Sequence, residues 1–255
     1  MGSRPPGRGK IPFLLLVLWL LSGHAVADEV LVINSGRGAP FATPQQDGFY
    51  DRLVVELFSR LGLRATTIKL PSERALINAN SGIDDGNLAR IRGLEKKYPN
   101  LVRVPEKIVS FEFLVFTNGL EFPVQGWESL APYNIAYITG WKILENRAQY
   151  YRSVTRARDG PQLFGLLEAG RVDLVLYERW SGLWRMKQYP GRLRYLEPPL
   201  ERRDLFLYVN RRHADRVPAL TAALREMKRD GSYQQIFDET LGVLLRPGSG
   251  QDGSG

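Results

Sequence analysis

The chain has no cysteine among its 255 residues. Without thiols it has no disulfides, thiolate metal centres or cysteine nucleophiles, and a lipid-modified cysteine anchor is excluded. Histidine is nearly as scarce, since only His213 lies outside the first 27 residues. A histidine triad or a multi-histidine metal site is therefore not expected, and we predict neither a metal nor a cofactor. His213 stands among charged residues at a predicted helix start, which predicts a surface position.

The chain also lacks any block of charge of one sign. Its 35 Lys and Arg residues and 27 Asp and Glu residues give a formal net charge of +8. The two signs alternate along the chain, as in Glu95-Lys96-Lys97, which is typical of a solvated surface. We therefore expect no nucleic-acid partner.

A long hydrophobic run is missing as well. The apolar run at residues 11–21 is interrupted by Pro12 and is shorter than the roughly 20 residues that span a bilayer. Three basic residues precede it and Ala25-Val26-Ala27 follows it, the pattern of a cleavable export signal. We predict a signal peptide over residues 1–27 and a periplasmic mature protein.

The rest of the chain alternates between strand and helix patterns. The predicted strands cover residues 30–34, 64–69, 111–117, 134–138, 172–177 and 204–210, and the predicted helices cover 51–61, 73–80, 161–168, 214–229 and 233–241, with a further helix from about residue 141. This order predicts an α/β fold, with a parallel sheet as the default.

Two apolar strands, at residues 111–117 and 204–210, bracket a segment that resembles a complete smaller α/β unit. They are candidates for two strands that cross a hinge between lobes. We predict a first lobe from residues 28–116 with 207–246 and a second lobe from 117–206. The polar, glycine-rich tail at 247–255 has nothing to bury and is expected to be disordered.

Five short elements in one order carry a resemblance to a known family. They are Gly38-Ala39-Pro40-Phe41, Gly48-Phe49, Gly82-Ile83-Asp84, Gly170-Arg171-Val172-Asp173 and Asp230-Gly231-Ser232-Tyr233. With the predicted export signal, this order resembles extracellular solute-binding proteins of the polar amino-acid type (family 3, type II periplasmic binding proteins).

The resemblance implies a two-lobed periplasmic binding protein that closes on a small solute and delivers it to an ATP-driven (ABC-type) membrane importer. We expect a monomer. Two alternatives stay open, because some relatives with this fold are sensor modules for a receptor and others are enzymes such as cyclohexadienyl dehydratases. An enzyme would need a general acid, and Glu73, Asp85 and Glu178 are candidates.

In the predicted second lobe, Gly140, Trp141 and Lys142 form a turn between a strand and a helix. Ligands of α/β proteins bind beyond strand ends, where free N–H groups of a helix start favour an anion. The resemblance implies that this turn contacts the solute's carboxylate. It also places Glu178 where relatives bind an ammonium group. Alternatively, Trp141 and Lys142 point away from the cleft, and Glu178 complements a helix dipole.

In the predicted first lobe, the resemblance implies that Phe41 contacts the solute, but Gly38 stands where relatives place an aromatic platform. Gapless counting puts the family's arginine at Lys96. Arg90 lies nearer to a strand end and is the preferred cation, and Arg74 adds a second unless it pairs with a neighbour. Arg74, Arg90 and Lys142 outnumber the one carboxylate, Glu178, and so predict a positive cleft. Such a cleft favours an acidic or zwitterionic solute, either an amino acid or an organic acid.

Overall fold

The computed structural model describes residues 30–246, together with Gly2. The predicted signal peptide, apart from Gly2, and the predicted disordered tail therefore lie outside the described residues. The strands are β1 Val30–Ser35, β2 Arg64–Lys69, β3 Gly86–Arg90, β4 Leu101–Thr117, β5 Asn134–Ile138, β6 Ser153–Ala157, β7 Leu174–Glu178 and β8 Arg194–Asn210. The α-helices are α1 Phe49–Ser59, α2 Ser72–Ser81, α3 Lys142–Glu145, α4 Gly160–Glu168, α5 Arg179–Met186, α6 Val217–Asp230 and α7 Ser232–Thr240.

The strands form one sheet in the order β2-β1-β3-β8-β4-β7-β5-β6. β1 is parallel to β2 and β3, and β5 is parallel to β6 and β7. The central strands β4 and β8 are antiparallel to each other and to their outer neighbours. The predicted parallel sheet is therefore correct for the two outer groups, β1–β3 and β5–β7, and wrong for the centre. There β4 takes the chain from the first group to the second, and β8 returns it to the first.

β4 and β8 are the two hinge-crossing strands, and each is 17 residues long. They pair from Leu101 opposite Asn210 to Thr117 opposite Arg194, with register shifts on the way. Only their most apolar parts were predicted, since Pro198-Pro199 and the neighbouring charges interrupt the apolar pattern of β8. The fold is thus an α/β, two-lobed periplasmic-binding-protein-like fold.

Separate apolar cores lie on the two sides of the crossing. Ile33 of β1, Leu53 of α1 and Leu224 of α6 belong to the core around β1 and β3, and each such buried side chain contributes about 1.5–3 kcal/mol. Two further clusters cover the faces of β5 and β7. Helix α5 lies within the predicted second lobe, yet its Trp180 packs in the first core. The lobe boundaries stay a prediction.

His213 corrects the prediction of a surface position, because it is buried. Its Nε2 lies 2.6 Å from Oδ1 of Asp85, and Arg212 donates a hydrogen bond to the same oxygen at 2.5 Å. A buried carboxylate needs such partners, and this one draws the ring inward from the end of β8. No helix within residues 30–246 is long and apolar enough to cross a membrane.

Candidate functional site

A cavity of about 1110 Å³ lies where the carboxyl ends of the parallel strands meet. We call its lining residues from the ends of β1, β2 and β3 and from the segments that follow them the first wall. Those from β5, β6 and β7 and from their following segments form the second wall. Phe111 and Phe113 of β4 lie between the walls. Carboxyl ends of parallel strands are the usual place for ligands in such sheets, and here two sets of them face one opening.

Cationic side chains dominate this cavity. Its lining includes Arg37, Lys69, Arg90, Lys142, Arg147, Arg158, Arg185 and Arg203, against two carboxylates, Asp159 and Glu201. Both carboxylates are already engaged. Asp159 caps α4 by accepting from the N–H of Gln162 at 2.9 Å and pairs with Arg158 at 3.2 Å, while Glu201 pairs with Arg203 at 3.0 Å. The cavity is therefore strongly positive.

Arg90, the last residue of β3, lines the first wall. Its Nε donates to Oδ1 of Asn87 at 2.5 Å and its Nη2 donates to the carbonyl of Ser72 at 3.0 Å. Both acceptors are neutral, so they orient the guanidinium without balancing its charge. Burial, and next the charge of Arg37, lower the pKa of Arg90 to about 10, which shows how strongly its surroundings disfavour the cation.

Arg37 follows β1 and reaches across the cleft. Its guanidinium carbon lies 4.9 Å from the ring centre of Phe111 and 4.7 Å from that of Trp141. Trp141 in turn stacks on Tyr177 at 4.9 Å with the rings 7° from parallel. One guanidinium and three aromatic rings thus form a continuous stack from β4 to β7, held by cation–π and stacking contacts.

The turn after β5 contributes Gly140, Trp141 and Lys142 to the second wall. Gly140 has a φ of 85°, which favours glycine, and its N–H donates to Glu145 at 2.8 Å. Helix α3 has only four residues, so the predicted helix start provides little dipole. The Lys142 side chain is 79% exposed and pairs with Glu145 at 2.6 Å.

Glu178 is fully buried and does not line the cavity. Its carboxylate accepts from the N–H groups of Trp180 at 3.0 Å and Ser181 at 2.9 Å, and so caps α5. Burial raises its pKa, which these hydrogen bonds lower only in part. Of the two interpretations of Glu178, the structure therefore has the carboxylate at a helix N-terminus.

Three other sequence candidates also lie outside the lining. Phe41 is buried in the first core, where it stacks on Tyr50 at 4.7 Å and lies 5.2 Å from Phe111. Arg74 is exposed on α2, and Lys96 is exposed in a 3₁₀ turn. Phe41 thus packs behind Phe111, which lines the cavity. Arg90 rather than Lys96 is the cation at the strand end.

None of the three candidate general acids lines the cavity. Glu73 accepts from the Tyr98 hydroxyl at 2.8 Å and pairs with Lys97. Asp85 accepts from the N–H of Val32 at 2.7 Å besides Arg212 and His213. Burial raises the pKa of Asp85, but these hydrogen bonds outweigh it and hold the pKa below its usual value. All three carboxylates are hydrogen-bonded within the protein, and all three lie outside the cavity lining.

Several lining residues were not singled out in the sequence, notably Arg37, Lys69, Tyr177 and Arg185. Arg37 and Lys69 could have been found, since one follows β1 and the other ends β2, and strand ends are where ligands bind. Tyr177 precedes the strand end at Glu178. Arg185 carries no such signal, because it lies more than a turn inside α5.

Comparisons with known proteins agree on the fold. No family model matches the chain. An uncharacterized protein of Shewanella oneidensis is 24% identical over 195 residues, which is 69% of this chain and 70% of that protein. An ancestral arginine-binding protein bound to arginine superposes with a TM-score of 0.68 at 17% identity, over 84% of this chain and 98% of that one. A histidine kinase sensor domain with similarity to periplasmic binding proteins gives 0.69 at 17% identity, over 84% and 96%.

Proposed function

We propose that this chain is a periplasmic solute-binding protein that captures a small acidic or zwitterionic solute, such as an amino acid or organic acid, and delivers it to an ABC-type importer. The observation that carries this proposal is the cavity between the two walls, whose eight cationic side chains face two carboxylates that are already paired. Several proteins of the same fold bind amino acids, among them one bound to arginine. The positive lining here favours an anion instead.

Binding would close the two walls by bending β4 and β8, the only strands of the described sheet that run through both strand groups. Register shifts interrupt their pairing, and such irregularities are where a strand bends. Hinge closure around a solute is a standard response of two-lobed binding proteins.

A thermal-shift screen of the purified protein against amino acids and small organic acids tests this function. A ligand at about 100 times its dissociation constant adds about 2.7 kcal/mol of stability, which appears as a rise of several degrees in Tm. Arg90→Gln should abolish the shift, whereas Arg225→Gln, an exposed arginine outside the cavity, should keep it. No shift with any compound would contradict the proposal.

A sensor role is the second candidate, favoured by the common fold with a histidine kinase sensor domain. The solute would bind in the same way, but a membrane receptor would read the closed form. Deleting the gene distinguishes the two roles. Loss of solute uptake supports the importer, and loss of a transcriptional response with uptake intact supports the sensor.

A further inference from the structure

Each wall of the cavity carries guanidinium groups that have no carboxylate oxygen within 4.0 Å among residues 30–246. We infer that the solute has two separate anionic groups, one bound by Arg37 and Arg90 on the first wall and one bound by Arg185 on the second, and that it needs no ammonium group. This inference rests on the proposed function and names the class of solute for that site. It narrows the class of the proposed solute from an acidic or zwitterionic compound to a dianion.

The first wall holds two guanidinium groups without a counter-ion. Neither Arg37 nor Arg90 has a carboxylate oxygen within 4.0 Å among the described residues. The rings of Phe111 and Trp141 lie 4.9 and 4.7 Å from the guanidinium carbon of Arg37, and the N–H groups of a planar guanidinium donate from its edge. That edge matches the two oxygens of a carboxylate or phosphate. An anion beside both groups would relieve the repulsion between them.

A buried hydroxyl beneath the same wall points to the same place. Tyr50 is fully buried, and its hydroxyl has no hydrogen-bond partner among the described residues. Arg37, Glu178 and Arg90 are among the charged groups that act on it. Buried polar groups without partners are rare in native proteins and need an explanation. The Tyr50 hydroxyl is therefore a polar group beneath the first wall that no acceptor among the described residues satisfies.

Arg185 is the second-wall cation that lies beside Tyr177 and the start of α4. No carboxylate oxygen lies within 4.0 Å of it in the described part of the chain. A Cβ on Gly160 would lie 3.2 Å from Nε of Arg185 and 3.1 Å from the Tyr177 hydroxyl. The absence of a side chain at Gly160 thus lets the start of α4 approach both groups. Arg185, Tyr177 and this backbone meet at the cavity as one polar group of donors.

Every carboxylate that lines this cavity already has a cationic partner. Asp159 caps α4 and pairs with Arg158, and Glu201 pairs with Arg203. Glu178 is buried behind the lining, where it caps α5. The ammonium group of a zwitterionic solute would therefore have to share a carboxylate with an arginine of the protein. A monoanion would neutralise one wall and leave the other unbalanced.

The volume of about 1110 Å³ exceeds the roughly 300–1,000 Å³ of typical small-molecule pockets. A solute that reaches from one wall to the other therefore has room. Carboxylate and phosphate share the chemistry that these guanidinium groups recognise. The solute is accordingly a dicarboxylate or a phosphorylated carboxylate, and the experiment below distinguishes these sources.

Titration calorimetry at low salt compares four classes of probe. They are dicarboxylates (succinate, glutarate, adipate), monocarboxylates of the same lengths (butyrate, valerate, hexanoate), the zwitterions serine and glutamine, and 3-phosphoglycerate. We expect a dianion to bind at least about tenfold more tightly than the matched monocarboxylate. Tighter binding of 3-phosphoglycerate than of every dicarboxylate would identify phosphate as one of the two groups.

Equal or tighter binding of a monocarboxylate or zwitterion would overturn the dianion inference and leave the proposed function standing. No binding by any of the four classes would overturn both. The two results are therefore distinguishable in one experiment.

Variants of the two walls provide a second test. Arg90→Gln and Arg185→Gln should each weaken the best dianion about tenfold or more, with additive effects because each holds a different end. The affinity for a monocarboxylate should fall in only one of these two variants. Arg225→Gln and Arg192→Gln remove exposed, ion-paired arginines outside the cavity and should change nothing. Should Arg90→Gln fail to fold, Arg37→Gln replaces it. An undiminished affinity in Arg185→Gln would overturn the inference.

Discussion

The two walls of the cleft hold their cations by different means. On the first wall, Arg90 ends a chain of buried side-chain hydrogen bonds, in which Asn34 donates to Asp84, Asn87 donates to Asn34, and Arg90 donates to Asn87. On the second wall, Arg185 projects from α5, whose first N–H groups are capped by Glu178. Side chains therefore fix one cation, and a capped helix fixes the other.

This difference decides how each wall responds to change. A buried network of polar side chains is stable only while every member has its partners, so one deletion affects the whole chain. A helix that has lost its cap frays at the end but keeps its remaining backbone hydrogen bonds. We therefore expect the first wall to be rigid and intolerant of substitution, and the second wall to yield gradually.

Asn34→Ala should have the largest effect. Asn34 is fully buried, and its amide donates to the carbonyl of Ala75 at 2.8 Å and to Asp84 at 2.6 Å. Its loss would leave Asp84 and Asn87 short of partners, at about 1–3 kcal/mol for each unsatisfied group. We expect a loss of about 3 kcal/mol in the free energy of unfolding, measured with urea, and weaker solute binding through a displaced Arg90.

Asn118→Ala is the matched control, because Asn118 is exposed in the loop after β4. It should leave both stability and affinity unchanged. A loss below about 1 kcal/mol for Asn34→Ala would mean that the hydrogen-bond chain does not fix the first wall.

Glu178→Ala tests the second wall and should have the next largest effect. It removes both acceptors of the α5 cap, and the loss of an N-cap costs about 0.5–2 kcal/mol. Glu178→Gln keeps one acceptor oxygen and should cost less. Urea unfolding gives the stabilities, and calorimetry shows whether affinity falls as α5 loosens around Arg185. A loss in Glu178→Ala as large as in Asn34→Ala would remove the contrast between the walls.

The sequence predicted those parts of this site that depend on local patterns. Gly140 and Trp141 form the turn after a predicted strand, and ligands bind at such strand ends. Arg90 was chosen through the family resemblance, since no strand was predicted at residues 86–90. The α/β alternation and the two crossing strands were likewise visible as apolar periodicity. Each of these features lies within one short segment of chain.

The remaining features depend on contacts between distant segments. Arg37 lies over Trp141, which is more than 100 residues away in the chain, and no local pattern encodes this pairing. Glu178 could bind an ammonium or cap a helix, and only the packing of α5 on the first core decides between them. Similarly, His213 is buried because Asp85, far away in the sequence, needs a partner.

The pH dependence of stability should differ in sign between the two buried carboxylates. Burial raises the pKa of Glu178 above its unfolded value of about 4.3, so the folded protein binds this proton more tightly than the unfolded chain. Stability therefore falls as pH rises between the two values. The pKa of Asp85 lies below its unfolded value of about 3.9, so its contribution is present above that value and is lost as pH falls through the folded pKa.

Urea unfolding at a series of pH values checks this contrast. Relative to the unmodified protein, Glu178→Gln should gain stability as pH rises above about 4.3, since it lacks the unfavourable ionisation. Asp85→Asn should lose relative stability as pH rises towards about 3.9 and then stay level. Slopes of the same sign for both variants would contradict the structural difference between a carboxylate paired with side chains and one bonded only to a helix start.

Of the four predictions made for the two walls and their carboxylates, the one for Lys142→Gln has the smallest expected effect. The Lys142 side chain is largely exposed, and its charge is paired with Glu145, so water and salt screen it. We expect an unchanged Tm and a loss of affinity of about twofold or less, one that disappears at high salt. Arg90→Gln, by contrast, should keep its effect at high salt because Arg90 is mostly enclosed. A salt-resistant loss in Lys142→Gln would mean that Lys142 turns inward on closure, and the second wall would then bind its anion through two cations instead of one.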